Sequence, residues 1–193
     1  VKGDTRAFLA FGIDLETNEI VIFNQLKDDD SRVVRAEDLK IVLENGFSAK
    51  LTEDIELSES INITSGNVSV DLNGHDIVNS GLQESVAQDE MNCSVFVVSG
   101  EGVELTLTGE GNVVACPDEE LIESLPDDVT VNSSAISATV NASVVFSGGA
   151  YNGGIETDGT ANITINNGTF VDFDPSDIIS PDSHSIFDEE SNS

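Results

Sequence analysis

Several residue types are scarce in this 193-residue chain, and each scarcity narrows what the protein can do. There is no Trp, and only four Pro, two Cys and two His, so a Cys/His metal cluster has too few members. No apolar run approaches the roughly 20 residues of a membrane-spanning helix. Only seven residues are Lys or Arg against 37 Asp and Glu, a net charge of −30. We expect no nucleic-acid partner and no membrane partner, because this charge repels phosphates and anionic lipids.

The basic residues are confined to the first fifty positions. They are Lys2, Arg6, Lys27, Arg32, Arg35, Lys40 and Lys50. Residues 51–193 hold 27 acids and neither Lys nor Arg. Apolar residues nevertheless recur along the whole chain, so we expect a folded protein rather than a disordered polyanion. We divide it into an N-terminal hairpin or anchor segment (1–33), a capping helix with a β-rich body (34–180) and an acidic tail (181–193).

Two local patterns stand out near the N-terminus. A short apolar run from Phe8 to Ile13 and a second from Glu19 to Phe23 flank a turn-like segment, which predicts a β-hairpin. Further on, apolar residues recur at helical spacing before an Asn-Gly stop signal. This second pattern predicts a short amphipathic helix from Ala36 to Glu44.

From Ala49 onward the chain consists of short segments with period-two alternation, and a corner unit recurs among them. Each copy is an apolar residue, a polar corner of Asn, Ser or Gly, and a second apolar residue; the copies begin at Leu72, Leu107, Phe146 and Ile165. Successive copies begin 35, 39 and 19 residues apart. We interpret the first two distances as two units each and the third as one unit, with a unit length of about 18–20 residues. This spacing predicts six or seven coils of a parallel β-helix, with the helix at 36–44 closing its first coil. An antiparallel β-sandwich remains the alternative.

The segment from Leu39 to Leu51, the strand Asp54–Leu57 and the motif Val70-Asp-Leu-Asn-Gly-His-Asp-Ile77 resemble modules of tailed-bacteriophage virion proteins and some bacterial surface proteins. The ending at Asn167–Phe170 is also similar to the way such modules close. The resemblance covers about residues 34–180 and implies a right-handed parallel β-helix. The family usually has more basic residues, so the polyanionic surface of this chain departs from the family pattern, and the hairpin has no counterpart in it.

Enzymatic chemistry finds little support in the sequence. Uronate lyases of this fold need a basic side chain, which residues 51–193 do not supply except at His75 and His184. A glycosidase needs only two carboxylates, but aromatic residues for stacking sugars are few. Asp172, Asp174 and Asp177 form an acidic cluster that we interpret as solvated rather than as a Ca²⁺ site. We therefore expect no catalytic residues, no cofactor and no bound metal.

Two further features leave alternatives open. Cys93 and Cys116 are 23 residues apart, roughly one coil, so a disulfide between stacked coils and two buried thiols are both consistent with the spacing.

Seven Asn-x-Ser/Thr sequons occur, and we attribute them to composition rather than to glycosylation. They begin at Asn62, Asn67, Asn92, Asn132, Asn141, Asn162 and Asn167.

These observations, together with the resemblance, lead to one leading expectation: a non-enzymatic structural protein of a phage virion, such as a head fibre or capsid decoration. Its N-terminal part would bind capsid or other virion proteins and support a homo-oligomer, plausibly a trimer. The residues expected to bind the partner are Arg6, Phe8, Phe11, Arg32 and Arg35. The alternatives are a secreted cell-surface adhesin or surface-layer module and a β-helix that binds or hydrolyses a host-surface glycan.

Overall fold

The computed structural model describes residues 9–14, 19–24, 36–84, 90–116, 119–126 and 128–178. The predicted boundaries at 33/34 and 180/181 lie outside these residues. The elements, in chain order, are β1 (Leu9–Asp14), β2 (Glu19–Asn24), α1 (Ala36–Glu44), β3 (Ala49–Lys50), β4 (Ile55–Leu57), β5 (Ile61–Ile63), β6 (Asn67–Asp71), β7 (Ile77–Asn79), β8 (Gln83–Glu84), β9 (Glu90–Ser99), β10 (Glu104–Ala115), α2 (Glu119–Glu123), β11 (Thr130–Thr139), β12 (Ser143–Asn152), β13 (Ile155–Thr157), β14 (Asn162–Val171) and a 3-10 turn (Pro175–Asp177).

The predicted N-terminal hairpin and the predicted helix at 36–44 are both confirmed as elements. β1 and β2 pair antiparallel from Leu9↔Asn24 to Asp14↔Glu19. Helix α1 has the predicted bounds and lies against β3, β4 and β5. Its apolar face, which includes Leu39 and Leu43, is fully buried, so the helix covers the first strands of the body.

Seven strands form one larger sheet in which every pair is parallel. A column of apolar residues crosses this sheet in register, in the order Ala49, Val70, Leu107, Phe146 and Ile165. All but Ile165 are buried, and Ile165 packs against the same core. A second column, which follows the polar corners, consists of Ile55, Ile77, Val113, Tyr151 and Phe170.

The repeat count derived from the sequence is wrong. Val70 is the direct neighbour of Leu107, and Leu107 is the direct neighbour of Phe146, so offsets of 37 and 39 residues each correspond to one step of the sheet. The step from Phe146 to Ile165 takes 19 residues. The longer steps contain extra chain, including β8 in one and α2 in the other. Within the described residues this column therefore has five strands joined by four steps, fewer than the six or seven coils expected.

The smaller sheet has the parallel order β13-β11-β9-β5, and the short strand β8 adds to β9 in the antiparallel sense. Its inward column is Ile61, Phe96, Ile136 and Ile155. The chain alternates between the two sheets, and both contribute to one core. The antiparallel pairing that a β-sandwich requires is confined, in the described part, to β8–β9 and the hairpin. The protein is thus mostly β and built on parallel sheets.

An aromatic cluster lies at the end of the core opposite α1. The ring centroid of Phe146 is 4.7 Å from that of Tyr151 and 5.3 Å from that of Phe170. The buried Tyr151 hydroxyl donates to the Gly148 carbonyl at 2.6 Å, which satisfies its polar atom. The ring centroid of Phe173, which follows β14, lies 6.4 Å from that of Phe170. Phe173 and Ile178 both pack against the core, so residues 173–178 cover this end of it.

Candidate functional site

Of the five residues predicted to bind a partner, Phe11 alone lies within the described part of the chain. Phe11 lies in β1 opposite Ile22, and the strand β2 comes within 8 Å of β3, measured between Cα atoms. Arg6, Phe8, Arg32 and Arg35 lie outside the described residues. The role of this segment in binding a partner therefore stays a prediction.

Among the described residues, three carboxyl groups have clearly shifted pKa values, and all three shifts are downward. Hydrogen bonds from the Asp76 backbone and then from His75 lower the pKa of Asp54. Asp158 and Asp174 have lowered pKa values because they accept hydrogen bonds from turn residues nearby. A glycosidase acid needs the opposite shift, so that it holds a proton near neutral pH. These three groups act instead as ionised acceptors that fix turns.

The residues singled out for solvated or metal-binding roles are also engaged in local structure. His75 Nδ1 lies 3.2 Å from Asp54 Oδ1, at the corner between β6 and β7. In the predicted acidic cluster, Asp174 accepts from the Ser176 backbone nitrogen at 3.0 Å and from the Ser176 hydroxyl. Among the residues that the structure describes, no group of three or more His, Cys, Asp or Glu side chains is arranged to hold a metal ion.

The most distinctive surface feature is an outward face on the larger sheet, which we call the neutral face. It consists of outward side chains of β6, β10, β12 and β14 that alternate with buried apolar residues. Register pairing aligns them in three columns: Asn67, Glu104, Ser143 and Asn162; Ser69, Thr106, Val145 and Thr164; Asp71, Thr108, Ser147 and Asn167. Neighbours within a column are about 4.8 Å apart.

The neutral face carries little of the net charge of the protein. Its acids are Asp71 and Glu104, and Lys50 Nζ lies 2.8 Å from an oxygen of Asp71. Other acids of the body lie in turns, as Glu53, Asp54, Asp76, Glu101, Asp158 and Asp172 do, or at strand positions outside the three columns, as Glu56, Glu110 and Glu156 do. The chain therefore presents a flat array of small polar groups bordered by negative charge. The sequence signal for this face is the alternation of Ser, Thr and Asn with buried apolar residues in successive strands.

The sequons divide into two structural groups. Five of the seven asparagines are exposed: Asn62, Asn67, Asn141, Asn162 and Asn167. The other two, Asn92 and Asn132, are half-buried and face each other in register between β9 and β11. Asn132 Nδ2 also donates to Glu90 at 3.4 Å. Exposure therefore permits modification at the first group and disfavours it at the second.

The two cysteines are free thiols that lie close together, although not as the spacing suggested. Cys93 is buried in β9 and is in register with Ser133, so the premise that the cysteines occupy equivalent positions on stacked coils is wrong. Cys116 is exposed and directly follows β10. Both residues donate to one acceptor, the Asn79 carbonyl oxygen.

Comparisons with protein-family models, curated proteins and solved structures gave no match. Among the described residues, no helix is long and apolar enough to span a membrane. Function must therefore be inferred from the fold, the distribution of charge and the few local contacts described above.

Proposed function

We propose that this chain is a non-enzymatic structural protein of a tailed-phage virion, either a head fibre or a capsid decoration. In this proposal the two parallel sheets are faces of one right-handed parallel β-helix that projects from the particle. The supporting observation is the arrangement of charge: an in-register stack of parallel strands carries exposed acids in its turns and at strand positions outside the neutral face, and no Lys or Arg follows Lys50. Such a body stays hydrated and repels other anionic particles.

The N-terminal part is the proposed anchor. Both lysines of the described body are already paired: Lys40 lies 3.3 Å from Glu44 and 3.2 Å from Glu59, and Lys50 pairs with Asp71. Binding to an acidic shell surface would then depend on the other basic residues of the N-terminal segment, above all Arg6, Arg32 and Arg35. Phe8 and Phe11 would add apolar contacts, and a homo-oligomer, for which a trimer is proposed, would bring several anchors together.

Density-gradient fractionation of the native source tests this proposal. We expect the chain to migrate with DNA-filled particles at a fixed ratio to a major shell protein. Arg32→Glu with Arg35→Glu should weaken rebinding to particles that lack the protein, whereas Glu101→Lys, a charge reversal on an exposed turn of the body, should not. Recovery of the native chain only in membrane or secreted fractions would overturn the proposal.

The exposed sequons favour a second candidate, a secreted cell-surface adhesin or surface-layer module. Glycans found by mass spectrometry on native Asn67 or Asn162 would support this candidate over the virion protein.

A further candidate, a glycan-binding β-helix, rests on the neutral face, where uncharged sugars meet little repulsion. If this is correct, Thr106→Glu should abolish binding to a glycan array, while Ser137→Glu on the smaller sheet should leave it unchanged.

A further inference from the structure

The carbonyl oxygen of Asn79 brings the two cysteines together. It accepts a hydrogen bond from the Cys116 backbone nitrogen at 2.9 Å and another from Cys93 Sγ at 3.3 Å. Cys93 Sγ and the Cys116 nitrogen are therefore no more than about 6 Å apart. A disulfide requires Cα atoms about 4.4–6.8 Å apart, and the side chain of Cys116 is exposed and lies outside the hydrophobic core.

The surroundings of Asn79 make this a well-defined site. Its side chain is fully buried, donates to the Ser94 carbonyl at 2.7 Å and accepts from the Gly81 nitrogen at 3.1 Å. Asn79 is thus fixed from both sides, and so is the carbonyl oxygen that the cysteines share. The site lies at the end of β7, where the chain leaves the larger sheet.

We propose that Cys93 and Cys116 form a reversible disulfide and that Cys116 is the thiol that reacts first. Cys116 is exposed and can meet an oxidant in solution, whereas Cys93 is buried. Burial, and then the nearby Cys116 thiol, raise the pKa of Cys93 to about 11, which keeps it protonated at neutral pH and leaves the first attack to Cys116. Cys93 then acts as the resolving thiol.

The chemistry is an exchange with a small-molecule disulfide. The Cys116 thiolate attacks one sulfur of the oxidant, forms a mixed disulfide and releases one thiol. Cys93 attacks Cys116 Sγ and forms the internal bond, and the leaving thiolate takes up the proton that Cys93 loses and departs as the second thiol. The protein loses two protons and two electrons, equal in mass to two hydrogen atoms, and the oxidant becomes two thiols.

The bond would fix the start of the segment that carries α2, because Cys116 is the last residue before it. A chain made in a reducing compartment would keep both thiols, and it would form the disulfide after release into an oxidising compartment. Closing this loop is expected to lower the unfolding equilibrium constant on the order of 100-fold. The inference does not depend on the proposed virion role.

The test uses the full-length reduced chain and the aromatic disulfide 5,5′-dithiobis(2-nitrobenzoate). We expect two coloured thiols released per chain, a mass lower by two hydrogens, and no retained adduct. Cys93→Ala should release one thiol and keep the adduct on Cys116. Cys116→Ser should react far more slowly.

Retention of the adduct on Cys116 in the wild-type chain would overturn the proposal. So would an oxidised chain whose unfolding midpoint equals that of the reduced one. Both measurements use the unaltered sequence, so they remain decisive if a variant fails to fold.

Discussion

The Asp76 carboxylate accepts two hydrogen bonds from Asn112, a residue 36 positions further along the chain. Its Oδ1 lies 2.8 Å from the backbone nitrogen and 2.7 Å from Nδ2 of Asn112. Asp76 directly precedes β7 and Asn112 lies in β10, so the pair joins neighbouring strands of the larger sheet at their corner.

Replacing Asp76 tests the strength of this corner. We expect Asp76→Ala to lower the free energy of unfolding by about 1 kcal/mol, because it leaves both donors of Asn112 to water at a partly exposed site. Urea unfolding would measure the change. Glu110→Ala removes an exposed carboxylate from β10, the strand that contains Asn112, and it should change the free energy of unfolding little. An equal loss of stability in both variants would contradict this account.

The Asp158 carboxylate predicts a dependence of stability on pH. It accepts from the Val140 nitrogen at 2.9 Å and from the Thr160 nitrogen at 2.9 Å, and these bonds lower its pKa below the usual 3.8. A group with a lowered folded pKa stabilises the protein above its unfolded pKa and loses that effect as the pH falls through the folded value. Asp158→Ala should therefore lower the melting temperature at pH 7, and the difference from wild type should shrink below about pH 4. Glu156→Ala serves as the control, and a difference that grows in acid would contradict the assignment.

Val140 has a backbone conformation that is unfavourable for its residue type. Its φ is +57°, in the left-handed region, and its side chain is 53% exposed. A β-branched residue is strained there, whereas Asn tolerates the conformation. We expect Val140→Asn to raise stability by about 1 kcal/mol in thermal or chemical unfolding. Val171→Asn is the matched control, since Val171 is also exposed but has no positive φ, and it should give no gain.

Gly81 and Gly159 differ in the space that a side chain would meet. A Cβ at Gly81 would overlap the Ser58 carbonyl oxygen, which is part of the backbone and cannot move freely. At Gly159 no atom lies within 4 Å of that position, although φ is +78°. We expect Gly81→Ala to cost about 3 kcal/mol or more and Gly159→Ala about 1 kcal/mol. Equal unfolding midpoints for the two variants would show that the chain at Gly81 adapts.

The net charge of −30 predicts a response to salt. Repulsion among exposed acids is screened over a Debye length of about 8 Å at 0.15 M salt. The melting temperature should rise with NaCl, and most of the rise should occur below about 0.2 M if screening is the cause. A rise that appears only in molar salt would contradict screening and would indicate a surface adapted to a salt-rich host.

Local patterns predicted the local elements well. The bounds of α1 agree with the structure, and the hairpin strands agree to within one residue at each end. The apolar residues that alternate through the body do form the core. The number of steps was overestimated because insertions of about one repeat length imitate extra repeats, and a single sequence does not distinguish the two.

Sequence alone determined the secondary structure, the identity of the core residues and the polyanionic character, because each depends on residue type and short-range spacing. Only the tertiary structure decided which strands are neighbours, and hence which outward residues form the neutral face. It also decided that Cys93 and Cys116 meet at Asn79 although Cys93 stacks on Ser133. These relations join residues that lie far apart in the chain, so they follow from strand register, which no local pattern specifies.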